Sequence, residues 1–169
     1  MKGAIGFSIG MVLLGCSLWQ QSVAQDKATP QELVQKVQEA AASLSKSGES
    51  GVAAFNNKPS PWVWKDTYIF VLDCGKGVMA AHPVKPELIG KVLTSLTDAN
   101  GKPALELLCA ATKNANGTWA EYSIPKPGEK EPSRKISYAH RVEGTTYVVG
   151  AGIYDPQAQL SDLEKLTVK

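Results

Sequence analysis

The sequence predicts an α+β domain: an antiparallel sheet of about five strands, a long N-terminal helix and a middle helix. Three observations carry this. Leu33, Val34, Val37, Ala40, Ala41 and Leu44 recur at helical spacing. Tyr68-Ile69-Phe70-Val71-Leu72-Asp73 and Met79-Ala80-Ala81-His82 are strand-like runs on either side of a glycine-containing turn. After a helical middle, three further strand-like runs occupy residues 118–124, 134–142 and 147–154. Two strands, a helical middle and three strands is the order expected of a sheet with helices on one side.

Each element has a local reason. Thr29-Pro30-Gln31-Glu32 is a helix start: Thr29 caps, Pro30 suits the first helical position, and Glu32 reaches back to the cap. The helix runs to about Lys46 and stops near Gly48, and a shorter helical piece covers residues 52–55. Residues 56–61, rich in Asn, Pro and Ser, read as loop. Cys74-Gly75-Lys76-Gly77 turns residues 68–73 back onto residues 78–82 as a hairpin. Residues 86–96 are short-helical or irregular. Pro103 opens the middle helix, with Leu105, Leu108 and Ala111 as its spine. Residues 125–132 form a charged, proline-rich hairpin loop, and residues 157–166 a weak terminal helix.

The ends and the cysteines speak to compartment. Lys2 is the only charge before Asp26, residues 4–18 are largely apolar, and Ser22-Val23-Ala24 supplies small residues at a cleavage site. Residues 1–24 thus read as a secretory signal peptide, placing residues 25–169 in the periplasm or outside the cell. A second reading is lipoprotein processing at Leu13-Leu14-Gly15-Cys16, which would leave Cys16 lipidated, although Leu14 stands where a small residue is usual. Either way Cys74 and Cys109 remain, an even number in an oxidising compartment. They form a disulfide or stay two buried thiols; a bridge would close a loop of about 35 residues.

Several functional classes find no support. The formal net charge of +2, without a Lys/Arg cluster, argues against nucleic acid as a partner. No nucleophile–His–Asp signature and no phosphate-binding glycine loop ahead of a helix points to an enzyme. His82 and His140 lie far apart without flanking ligands, so no metal site is expected, and no motif implies a cofactor. Gly150-Ala151-Gly152 falls inside a strand and reads as close backbone packing.

Laid side by side, several pieces form a recognisable series. They are Gly48-Glu49-x-x-x-Ala53-x-Phe55-Asn56, Tyr68-Ile69-Phe70-Val71, Ala81-His82-Pro83 with Gly90-Lys91, Asp98-x-x-Gly101-Lys102-Pro103, Trp119-x-Glu121-Tyr122, Lys135-Ile136-Ser137-Tyr138 and Gly150-Ala151-Gly152-Ile153-Tyr154. In that order and spacing, residues 29–155 resemble the single Cache (sCache, Cache_2-like) extracellular sensor domains of bacterial chemoreceptors and kinases. The resemblance implies a PAS-like sheet with the long helix packed beside it. It also implies a pocket on the helix-covered face for a small organic anion, a short-chain carboxylate or an amino-acid-like ligand.

Five residues are candidates to line that pocket: Tyr68, His82, Tyr122, Lys135 and Tyr138. A buried carboxylate needs a cation or several donors. Lys135 enters an otherwise apolar strand; it either meets the anion or belongs to the charged surface beside Arg134. The tyrosines offer phenol donors or are ordinary core, and His82 is a pocket group or a structural donor. Strand alternation places Lys135 and Ser137 on one face and Ile136 and Tyr138 on the other, so Lys135 and Tyr138 cannot share a pocket without a bulge. The sensors of this family continue into a transmitter, so the chain is expected to work as a detached sensor presenting its ligand to a separately encoded membrane receptor or kinase. The alternative is an envelope interaction module that keeps the fold without a working pocket. A homodimer through the N-terminal helix is a further expectation, although the residue 33–44 stripe is equally explained by packing on its own sheet.

Overall fold

The computed structural model describes residues 26–167. The signal-peptide reading of residues 1–24 and lipidation at Cys16 lie outside the described residues. Helix α1 (Pro30–Ser47) starts as its sequence predicts. Thr29 Oγ1 accepts the Glu32 N–H at 3.2 Å, and a Glu32 carboxylate oxygen accepts the Thr29 N–H at 2.9 Å. A 3-10 helix, Gly48–Asn56, follows. The strands are β1 (Val63–Trp64), β2 (Thr67–Tyr68), β3 (Phe70–Asp73), β4 (Val78–Ala81), β5 (Thr118–Pro125), β6 (Pro132–Arg141) and β7 (Tyr147–Ile153). Helices α2 (Ala104–Leu108) and α3 (Leu160–Glu164) are short.

Strands β3 to β7 build one antiparallel sheet in the order β4-β3-β7-β6-β5. The run at 68–73 is two elements rather than one strand. Tyr68 belongs to a separate hairpin with β1, and Ile69 hands its N–H to the Trp62 carbonyl at 2.8 Å before β3 joins the main sheet. The hairpin escapes sequence reading because its turn is Lys65-Asp66, with Lys65 at φ 46° in place of the usual Gly or Asn.

The helices do not share one side of the sheet. Leu33, Val37, Ala40 and Leu44 of α1 bury against Ile136, Tyr138, Val149 and Ala151. On the opposite face Ala104 and Leu108 of α2 pack with Leu72, Met79, Ala139 and Val148. The cause is visible in β7, which is buried along its whole length and carries no polar side to turn toward water. The apolar stripe of α1 is spent within the chain.

The segment between β4 and β5 covers the second face as a strap tied at both sheet edges. At β4, the Met79 N–H reaches the Lys91 carbonyl at 3.0 Å and the Leu93 N–H reaches the Gly77 carbonyl at 2.8 Å. At β5, Asp98 accepts the Ser123 N–H at 3.0 Å, and Lys102 Nζ donates to the Glu121 carbonyl at 3.0 Å. Both edges of the sheet are thereby covered. Cys74 and Cys109 form the disulfide, Cα atoms 5.7 Å apart, joining the turn after β3 to the end of α2.

Closing a loop of 35 residues in the unfolded chain is worth about 3–4 kcal/mol on the chain-entropy account. Cys109→Ser should therefore lower the unfolding free energy by about that amount in equilibrium denaturation under oxidising conditions. A loss below about 1 kcal/mol would show that the bridge contributes little to the constraint.

Candidate functional site

Between the strap and the sheet lies a cavity of about 190 Å³. Its polar lining comes from Tyr68, His82, Lys85, Thr97, Tyr122 and Lys135, and its apolar walls include Phe70, Met79, Leu96, Leu105 and Ile124. At about 30 Å³ per water in the liquid, the space equals about six waters, below the usual size for a drug-sized ligand.

Lys135 projects from β6 onto this face, away from α1, and is only 2% exposed. Its ammonium donates to Tyr68 Oη at 3.3 Å and lies 4.7 Å from the Tyr68 ring centroid, 5.3 Å from that of Tyr154 and 5.8 Å from that of Phe70. Among the described residues no carboxylate pairs with it. Burial alone would push its pKa down, but the phenol oxygens of Tyr68, Tyr122 and Tyr154 outweigh burial and hold it above the ordinary lysine value. The group is a cation throughout the neutral range.

The neighbouring strand makes room for it. Gly152 stands opposite Ser137 in the ladder, and a Cβ there would lie 2.5 Å from Lys135 Cε and collide with Ser137 Oγ. Gly150 does the same for Phe70, whose ring a Cβ would meet at 2.6 Å. The glycine pair is thus the close packing expected of it, in the service of the cavity floor.

Tyr122 faces Lys135 across the β5–β6 ladder, and its hydroxyl shares a 2.7 Å hydrogen bond with Ser137 Oγ. Burial pushes its phenol pKa up, and that of Tyr154 up to about 12, so both remain protonated donors at neutral pH. His82 follows β4 directly. Its N–H is taken by Asn56 Oδ1 at 2.9 Å, and its Nδ1 accepts the Lys85 N–H at 2.9 Å. The remaining ring nitrogen, Nε2, therefore carries the proton. Burial first, then the charges of Lys135 and Lys85, lower its pKa to about 3, so the imidazole is neutral. Its ring packs against Tyr68 at 4.8 Å between centroids.

Four of the five candidates, Tyr68, His82, Tyr122 and Lys135, thus meet at one cavity. Tyr138 does not. It faces α1, its ring sits 5.1 Å from Trp119, and its hydroxyl donates to the Asn116 carbonyl at 2.9 Å. The pairing of β6 with both neighbours is unbroken from Ile136 to Ala139, so no bulge turns Tyr138 round. Lys85, Thr97 and the aliphatic walls escaped the sequence reading because the strap is irregular and carries no periodicity. Tyr154 lies at the end of Gly150-Ala151-Gly152-Ile153-Tyr154, where its proximity to Lys135 depends on the β6–β7 register.

Known proteins share this architecture. The family profile described as Single Cache domain 2 matches residues 8–162. The methyl-accepting chemotaxis protein McpP of Pseudomonas putida is 30% identical over 98 residues, which is 57% of this chain and 18% of that receptor's length. A solved periplasmic sensor domain of a chemotaxis protein superposes with a TM-score of 0.53 at 25% identity, covering 72% of this chain and 87% of that one. A Cache chemosensory domain studied for carboxylic acid recognition gives 0.54 at 23% identity, over 72% of this chain and 80% of its own, a likeness of fold. A methyl-accepting chemotaxis protein from Vibrio parahaemolyticus gives 0.50 at 26% identity over the same shares, 72% and 80%. The family profile spans nearly all of the α1-to-α3 architecture described above, and so the chain belongs to the single Cache domain 2 family.

Proposed function

We propose that the chain is an extracytoplasmic sensor domain that captures a short-chain carboxylate in the cavity beneath the strap. One observation carries the reading: Lys135 is a buried, charged ammonium with no carboxylate partner among the described residues, at a small cavity. An uncompensated buried charge costs several kcal/mol, and an anion seated beside it recovers much of that. Tyr68 and Tyr122 supply phenol donors to the same oxygens. No Asp or Glu lines the cavity, so the ammonium of an amino acid would find no counter-charge there. This favours a plain carboxylate over an amino-acid-like ligand. The Cache domain studied for carboxylic acid recognition supports the same class by analogy of fold.

The matched relatives are chemotaxis receptors and their sensor domains, which supports a membrane receptor as the partner that reads the bound state. The ligand can shift that partner only by its differential affinity for two states of the sensor. Removal of residues 1–24 as a signal peptide would place the sensor in the periplasm.

A thermal-shift screen of C2–C6 carboxylates tests the proposal. Ligand at a hundred times its Kd stabilises by about 2.7 kcal/mol, which moves Tm by about 5–10 °C in a chain of this size. Lys135→Met removes the charge and keeps the volume, so the fold should hold or gain stability. Its carboxylate affinity should fall at least about tenfold. Equal affinity in the variant would take Lys135 out of the site, and no shift with any carboxylate at millimolar concentration would leave the chain as an interaction module.

A second expectation concerns pH. The fold keeps His82 neutral down to about 3, whereas the unfolded chain protonates it near 6.5. The unfolded state binds more protons between those values, so stability should fall as pH drops from about 6.5 toward 3, with up to about 1.4 kcal/mol per pH unit from this group. His82→Gln should flatten the decline in urea unfolding across that window. An unchanged slope would assign the acid sensitivity to other groups.

A further inference from the structure

The cavity lining carries a second basic residue that has no carboxylate partner among the described residues. Lys85 lines it three residues after His82 and is half-buried. Its backbone N–H is committed to His82 Nδ1, but among the described residues its ammonium, like that of Lys135, has no carboxylate partner. Two lysines without a carboxylate partner among the described residues thus line one cavity of about 190 Å³ that has no acidic side chain in its lining. Like charges sharing a small, partly dry space repel, and a monoanion would neutralise only one of them. The third base, His82, contributes no charge, and both lysines act on its ring.

We infer that the site is selective for a compact dicarboxylate of about three to four carbons, with Lys135 holding one carboxylate and Lys85 at the rim holding the other. This rests on the carboxylate reading above and adds the second charge. Lys135, with the phenols of Tyr68 and Tyr122, is the inner anchor. The apolar stretch of Leu96 and Leu105 between strap and sheet accommodates the short methylene link. Lys85 then decides specificity: it lies in the irregular strap and makes a contact that a ligand with one carboxylate cannot use.

Succinate and butyrate test this, since they share carbon count and differ by one carboxylate. Titration calorimetry on the full chain at fixed ionic strength should give succinate the tighter binding by about tenfold or more. Lys85→Gln should weaken succinate by about tenfold while leaving butyrate within about twofold, so that the two ligands converge. Preserved butyrate binding shows in the same experiment that the variant is folded. Butyrate binding as tightly as succinate to the unaltered chain would overturn the inference and leave the carboxylate reading standing, as would a succinate preference that survives Lys85→Gln. Failure of both ligands to bind the unaltered chain would overturn the two together.

Discussion

A buried ammonium is the constraint around which this structure is arranged. Lys135 enters the middle of a sheet strand and must be kept charged without a carboxylate counter-ion among the described residues. The fold meets the cost in part by surrounding the group with the rings of Tyr68, Tyr154 and Phe70 and with the Tyr68 hydroxyl. Cation–π attraction of this kind is worth about 0.5–2 kcal/mol per contact, which tolerates the charge without saturating it. The ammonium has three donors, and the side chains around it take up one at 3.3 Å. That unused bonding capacity, inside a cavity, is what the proposed anion would take up.

Several features that look independent follow from accommodating that side chain. Gly152 is required where the Lys135 stem and Ser137 press on β7, and Ser137 in turn holds the Tyr122 hydroxyl. Tyr68 must leave the main sheet and join the β1–β2 hairpin so that its ring lies over the ammonium and against His82. The hairpin tip is then tied back to α1, with Asp66 accepting the Ala28 N–H at 2.8 Å and Lys65 bonded to Glu32 at 2.6 Å. The site is therefore wired into the start of α1 through two short strands.

The strap answers a different demand. A face carrying Lys135, Tyr122 and Phe70 cannot be sealed by a long amphipathic helix without filling the space a ligand would use. The chain instead crosses it with short 3-10 turns and a single α-helical turn, fixed to β4 on one side and β5 on the other. The disulfide adds a third fixture beside α2. A cover of low internal regularity leaves a cavity, and fixing its ends limits the ordering entropy that binding has to supply.

The long helix and its cap, the presence of five strands, the two cysteines available for a bridge and the odd placement of Lys135 are legible in the sequence alone. These are local or countable properties: the Thr29-Pro30-Gln31-Glu32 signature, periods of 3.6 and 2, an even number of cysteines, a charge in an apolar run. The sequence also determined that Lys135 and Tyr138 face opposite ways, because alternation along one strand is geometry. Which of the two faces has the cavity, and hence that Tyr138 belongs to the α1 core, follows from the packing of the strap and α1 on the sheet. The tertiary structure alone put α1 and α2 on opposite sides, divided residues 68–73 between two sheets, and brought Lys85, Thr97 and Tyr154 to the site. Those outcomes depend on contacts between residues far apart in the chain and on an irregular strap whose backbone follows the sheet edges. No periodicity within a single segment records such contacts.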